Sequence, residues 1–177
     1  MIRGQEAEIG YVPVGVYNVL IHAVEKKQSS SGNDMLVLDA EIAGPDIVEH
    51  AGRSYKTAGA KGTMYVMLNN KNGVDAALSQ LNKPLEALGL LDQIPPGAEY
   101  GPAEVEALVK QLQHRKVSMV VSCQTEYFTD SEEKNAKYDL KLAKRDPETN
   151  EPLVRRYTPQ FDFGQVRKLV QVDAEAF

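Results

Sequence analysis

Residues 15–45, GVYNVLIHAVEKKQSSSGNDMLVLDAEIAGP, contain two runs of alternating apolar and polar side chains joined by a short polar link. Tyr17, Val19, Ile21 and Ala23 share one side of the first run, with Asn18, His22 and Lys26 opposite. Leu36, Leu38, Ala40 and Ile42 share one side of the second, with Val37, Asp39 and Glu41 opposite. A period of two gives a strand one core face and one wetted face, and it does not match the helical repeat. The link at residues 28–34 carries Gly32-Asn33, residues suited to the positive φ a tight connection needs. The two runs are expected to pair as a long β-hairpin whose second strand ends at Gly44-Pro45.

Other elements follow the same logic. Residues 1–14 read as a leader that adds a short edge strand through Ile9, Tyr11 and Val12, and residues 46–60, with Gly52 and Gly59, as a mobile connection. Residues 61–68, KGTMYVML, alternate Met64, Val66 and Leu68 against Tyr65 and Met67, which predicts a third strand. Helical spacing then takes over. Val74, Leu78, Leu81, Leu85 and Leu88 form one apolar stripe, with Asn72 as a cap and Asp75 near the amide end of the dipole. Pro84 leaves either two short helices, the second capped by Asn82, or one kinked helix; Gly89 is the expected stop. A further helix is expected after Pro102, with Val105, Leu108, Val109 and Leu112 inward. Residues 116–128 and 137–144 alternate again and predict a second hairpin around a polar tip.

The predicted order is three strands, a helical insert at about 72–113, then two strands. This is the order of an OB-fold, a small Greek-key barrel with its helix between the third and fourth strands. The expected class is therefore mainly β with an α insert. One OB-fold domain is expected over residues 1–145, and a charged, Pro-rich tail or extension over 146–177. At 177 residues the chain can bury a substantial core. No apolar run reaches the roughly 20 residues that cross a bilayer, and the first ten residues lack the apolar core of a secretory signal. With Cys123 the sole cysteine, no intramolecular disulfide can form, and a cytoplasmic setting is expected.

Several segments resemble a family of phage-encoded single-stranded-DNA-binding proteins of OB-fold type. The likeness lies in Gly15, Tyr17, Val19 and Ile21, in residues 29–38 with their Gly32-Asn33-Asp34-Met35-Leu36 core, and in the helix end at residues 85–90 (LEALGL). It covers roughly residues 15–145. The resemblance implies sequence-tolerant coating of single-stranded DNA during phage replication or recombination, in the host cytoplasm. The last residues, DAEAF, are similar to the acidic, Phe-terminated tip with which bacterial single-strand binders recruit replication or recombination proteins. They make Phe177 a candidate partner contact, although the usual Pro before the final Phe is absent.

A net charge of -5 argues, taken alone, against a polyanion as partner. Its distribution argues otherwise: residues 72–106 hold six acids against one base, whereas residues 134–168 hold nine bases against five acids. Single-strand binding needs cations along the phosphates and aromatic faces for the bases. Tyr65 is expected to point outward, and one of the adjacent pair Tyr127 and Phe128 must leave the core. Lys141 is expected on an outward strand face, followed by Lys144 and Arg145. Lys26 and Lys27 flank the first hairpin link, Tyr55 lies in the connection before the third strand, Lys61 opens that strand, and Arg155-Arg156-Tyr157 adds a basic, aromatic cluster. Five neutralised phosphates would give a log K against log salt slope of about -3.5.

Other readings attach to the same residues. Aromatics at strand spacing are ordinarily core or barrel rim, and strand lysines often guard edges. The acidic insert would suit an OB-fold adaptor whose partner is protein. Pro45-Asp46 with Asp139-Leu140-Lys141 spells the PD…DxK pattern of metal-dependent nucleases, but about 90 residues separate the halves. His22, His50, His114 and Cys123 lack metal-ligand spacing, and no phosphate-binding loop or hydrolase motif occurs. The expectation is a binding protein with no catalytic residues, metal or cofactor.

Overall fold

A computed structural model of the chain describes residues 7–171. The alternating runs form the expected hairpin. After a two-residue strand β1 (Glu8–Ile9), β2 (Gly15–Gln28) pairs antiparallel with β3 (Asp34–Gly44). Gly32 takes φ 82° in the connecting turn, where Ser29 carbonyl accepts its N–H. Tyr17, Val19 and Ile21 of β2 and Leu36, Leu38, Ala40 and Ile42 of β3 are buried.

One register shift revises the inward set. Ile21 stands opposite Ala40 and Ala23 opposite Asp39, so His22 is an extra residue on β2. Such a bulge moves the inward positions by one. Val24 is consequently buried, and Ala23, expected inside, is only half-buried.

The segment expected as a mobile connection is a second hairpin. β4 (Ile47–His50) pairs with β5 (Arg53–Lys56), and Ala51 and Gly52 both take positive φ between them. Two left-handed residues in a two-residue loop match the twist of the flanking strands. β1 adds to β5 in parallel, giving a small three-stranded sheet, β1-β5-β4.

β6 (Lys61–Met67) pairs with β3 and buries Met64 and Val66. Two short helices follow, α1 (Val74–Ser79) and α2 (Asn82–Ala87), then α3 (Pro102–Lys110) before β7 (Lys116–Tyr127). The two-helix alternative at Pro84 is thus realised. Neither Asn72 nor Asn82 is the cap: Gly73 and Leu81 occupy those positions, and Asn82 lies inside the first turn of α2. Gly89, at φ 72°, ends α2; its N–H bonds the Glu86 carbonyl while Leu90 N–H bonds that of Leu85, closing both orphan carbonyls. Leu78, Leu81, Leu85, Leu88, Val105, Leu108 and Val109 join the core of the sheet.

The fifth strand lies elsewhere than expected. Residues 137–144 form 3-10 turns at Ala136–Tyr138 and Leu140–Leu142, and the partner of β7 is β8 (Val154–Leu169). The alternation of Tyr138, Leu140 and Leu142 misleads because, among the described residues, that face is left uncovered; all three side chains are exposed. Phe161, Phe163 and Val166 of β8 are buried instead. The sheet therefore extends beyond the boundary placed at residue 145.

The strand order is β6-β3-β2-β7-β8. Its two edges come together at Gly62, where a Cβ would stand 2.6 Å from Cδ2 of Phe161. The result is a nearly closed, five-stranded antiparallel, barrel-like sheet, consistent with an OB-like barrel.

Candidate nucleic-acid interface

β7 and β8 are longer than the barrel needs. β2 pairs with β7 only between Lys116 and Val121, whereas β7 and β8 remain paired out to Tyr127 opposite Val154. A two-stranded ribbon thus runs past the end of β2. Cys123 opposite Pro159 and Thr125 opposite Tyr157 carry the line of Val121 and Phe161 onto it. Burial raises the pKa of the Cys123 thiol.

The small sheet meets this ribbon through aromatic edges. The Tyr11 ring lies edge-on to Tyr55, 5.0 Å between centroids, and edge-on to Tyr157 at 5.4 Å. Such T-shaped pairs are favourable and fix ring orientation. Between the ribbon and the small sheet lies an open groove of about 720 Å³ lined chiefly by Tyr11, His50, Arg53, Tyr55, Tyr127 and Tyr157. Tyr55 is buried and backs the groove, packed edge-on by Tyr11, whereas Tyr157, 37% exposed, presents accessible ring surface. A concavity with several fixed rings and a guanidinium suits planar, anionic ligands.

Tyr65 belongs to a different surface. It stands opposite Val37 on the outer face of β6 and β3, 56% exposed. The next row is Met67 and Met35, with Lys27 opposite Met35; in the other direction come Thr63 and then Lys61.

The expected cations are mostly engaged with acids. Lys26 meets Glu106 at 3.7 Å, Lys27 meets Glu25 at 3.4 Å, Lys61 meets Glu41 at 3.5 Å, and Lys144 meets Asp130 at 2.9 Å. Exposed pairs of this kind contribute only about 0–1 kcal/mol, so a phosphate can displace the acid. Glu126 differs. It is buried on β7, with Lys137 Nζ at 3.2 Å and Arg156 Nε at 3.6 Å. The hydrogen bond from Lys137, reinforced by the charges of Lys137, Arg156 and Arg155, holds its carboxyl below the ordinary range. This cluster ties the 3-10 turn at Ala136–Tyr138 to the ribbon. Arg155 is the bulge residue between Val154 and Arg156, and its side chain is exposed.

Of the residues expected to bind nucleic acid, Tyr55, Tyr127 and Tyr157 are brought together in the groove. Tyr65, Lys27 and Lys61 share the outer side of β3 and β6. Lys26 lies beside α3. Phe128 is 48% exposed, with its N–H on the Leu153 carbonyl. Lys141 sits in a 3-10 turn, not on a strand, and its N–H is capped by Asp139 Oδ1 at 2.9 Å. Arg145 Nη1 donates to the Asn150 carbonyl at 3.0 Å. Phe177 lies outside the described residues. Sequence gives no nucleic-acid role to Tyr11, read as an edge-strand residue, or to His50 and Arg53, whose segment reads as loop; Val48 facing Tyr55 across Ala51-Gly52 is the available hairpin signal.

The halves of the nuclease pattern sit in unrelated settings. The Asp46 carbonyl accepts from Thr57 N–H ahead of β4, whereas the Asp139 side chain caps a turn. Among the described residues no three His, Cys, Asp or Glu side chains group to hold a metal. No helix among them is long and apolar enough to cross a membrane.

No curated protein matches the chain. Residues 3–138, most of its length, match the family described as a protein of unknown function, DUF669, and the chain belongs to that family.

Proposed function

We propose that this chain is an OB-fold protein that binds single-stranded DNA with little sequence preference and performs no chemistry on it. The observation that carries the reading is the groove with Tyr11, Tyr55, Tyr127 and Tyr157 around it and Arg53 on its wall. Every base has a π-face, so stacking on fixed rings is tolerant of sequence and contributes about 1–3 kcal/mol per base. The strand order and the near closure at Gly62 support the OB assignment, and the resemblance of residues 15–145 to phage single-strand binders supports a role in phage replication or recombination in the host cytoplasm. The test is a titration of labelled oligo-dT with the full chain at low salt, beside a mixed-sequence strand and a duplex of equal length. Comparable binding of both unpaired strands, weaker on the duplex, is expected. Absence of binding to any strand would overturn the reading.

A second reading has one observation in its favour. A groove on the helical insert is lined by Ile94, Pro95, Tyr100 and Leu108, with Glu99 and Glu104 beside them. An apolar slot with acidic walls suits a basic protein segment, which would make the chain an adaptor for replication or recombination proteins.

A further inference from the structure

The groove is continuous with other concave surface. A second concavity, about 290 Å³, shares Ile9 and Tyr157 with the tyrosine groove and adds Lys56, Lys61 and Pro159. A third, about 460 Å³, shares Lys61 with the second and continues through Gly62 and Thr63, with His22 and Asp39 opposite. Two residues beyond Thr63, on the same face of β6, stands Tyr65. From Lys61 to Tyr65 the strand rises about 13 Å.

We infer that a single strand bound in the tyrosine groove continues over the seam between β6 and β8, past Lys56 and Lys61, and ends with a base on Tyr65. This rests on the single-strand reading and gives it a path. The strand crosses the seam on its outer side, where β6 and β8 are not hydrogen-bonded neighbours, while Phe161 packs against Gly62 on the inner side. Lys56 is exposed, and Lys61, 75% exposed along its side chain, exchanges Glu41 for phosphate. Acids lie on the path as well: Glu41 also meets His22 at 3.7 Å, and Asp39 lines the far end. Phosphates are therefore held at Lys56 and Lys61, and the stretch toward Tyr65 is contacted through the base. Asp39 opposes the phosphate that leads there.

The experiment compares oligo-dT of about 4 and about 16 nucleotides, the span of footprints known for such barrels. The parent chain, Tyr65→Ala, Asp39→Asn and the pair Lys56→Gln with Lys61→Gln are titrated with each. All four positions are exposed, so the variants should melt as the parent does. With the longer strand, Tyr65→Ala should bind about 5- to 150-fold more weakly. Asp39→Asn should bind it more tightly, a gain that impaired folding does not produce, and the lysine pair should flatten its salt dependence. Tyr65→Ala and Asp39→Asn should leave the short strand unaffected. If the parent binds the long strand and Tyr65→Ala and Asp39→Asn match it, the path is wrong while single-strand binding stands. If the parent binds neither strand, both fail together.

Discussion

Near closure of the sheet rests on a missing side chain. A Cβ placed on Gly62 meets Cδ2 of Phe161 at 2.6 Å and Cε2 at 2.7 Å, with the Pro159 carbonyl at 3.5 Å. Carbon atoms in good contact stand about 3.5–4.0 Å apart, so Gly62→Ala forces a displacement of roughly 1 Å. The Phe161 ring is 7% exposed and belongs to the core, so it cannot turn aside without opening the packing around it. Overpacking of this kind costs about 1–3 kcal/mol. For a chain of this size each kcal/mol lowers the melting temperature by about 2–4 °C, so a fall of about 2–12 °C is expected by calorimetry or circular dichroism. Phe161→Leu in the same background should recover part of the loss, giving a coupling of about 0.5–3 kcal/mol in a double-mutant cycle. If Gly62→Ala melts like the parent, or the two substitutions simply add, β6 and β8 do not meet there.

Three further outcomes follow from the site. Tyr127→Ala and Tyr157→Ala should each weaken oligo-dT binding by about 1–3 kcal/mol with the salt slope unchanged; a changed slope with unchanged affinity contradicts stacking. Arg155→Ala should make the slope shallower by about 0.7, the share of one phosphate, and an unaltered slope removes Arg155 from the interface. Glu126 is held below its ordinary 4.5, chiefly by Lys137, so its contribution to stability is full above that range and is lost as pH falls through the folded-state value. Glu126→Gln should therefore flatten the acid limb of melting temperature against pH, and an unchanged limb would contradict the cluster.

The barrel strands were legible where one face is covered along its length. Leu36, Leu38, Ala40 and Ile42, or Met64 and Val66, alternate because every second side chain enters the core. Legibility failed where a bulge or an uncovered face broke that link. His22 shifts the inward set by one residue, Arg155 interrupts β8 near its start, and Tyr138, Leu140 and Leu142 alternate without being buried. The charge and Pro content of residues 146–177 read as a tail, although Phe161, Phe163 and Val166 within them supply a core face. The site was half legible. Tyr55 and Tyr157 stand out as aromatics beside basic residues and Tyr127 as one of an adjacent aromatic pair, but only tertiary packing brings Tyr11, His50 and Arg53 to them. Lys141 drew its role from a strand that does not form.

The chain has eight tyrosines and no tryptophan, so its own fluorescence reports on those rings. The most direct measurement is the quenching of tyrosine emission by oligo-dT at low salt, for the parent and for Tyr127→Phe with Tyr157→Phe. Phenylalanine keeps the stacking face and removes the reporter. Saturable quenching in the parent, with a smaller amplitude at similar affinity in the double variant, is the predicted result. Emission that stays constant as the strand is added, or a full amplitude in the double variant, would contradict the account.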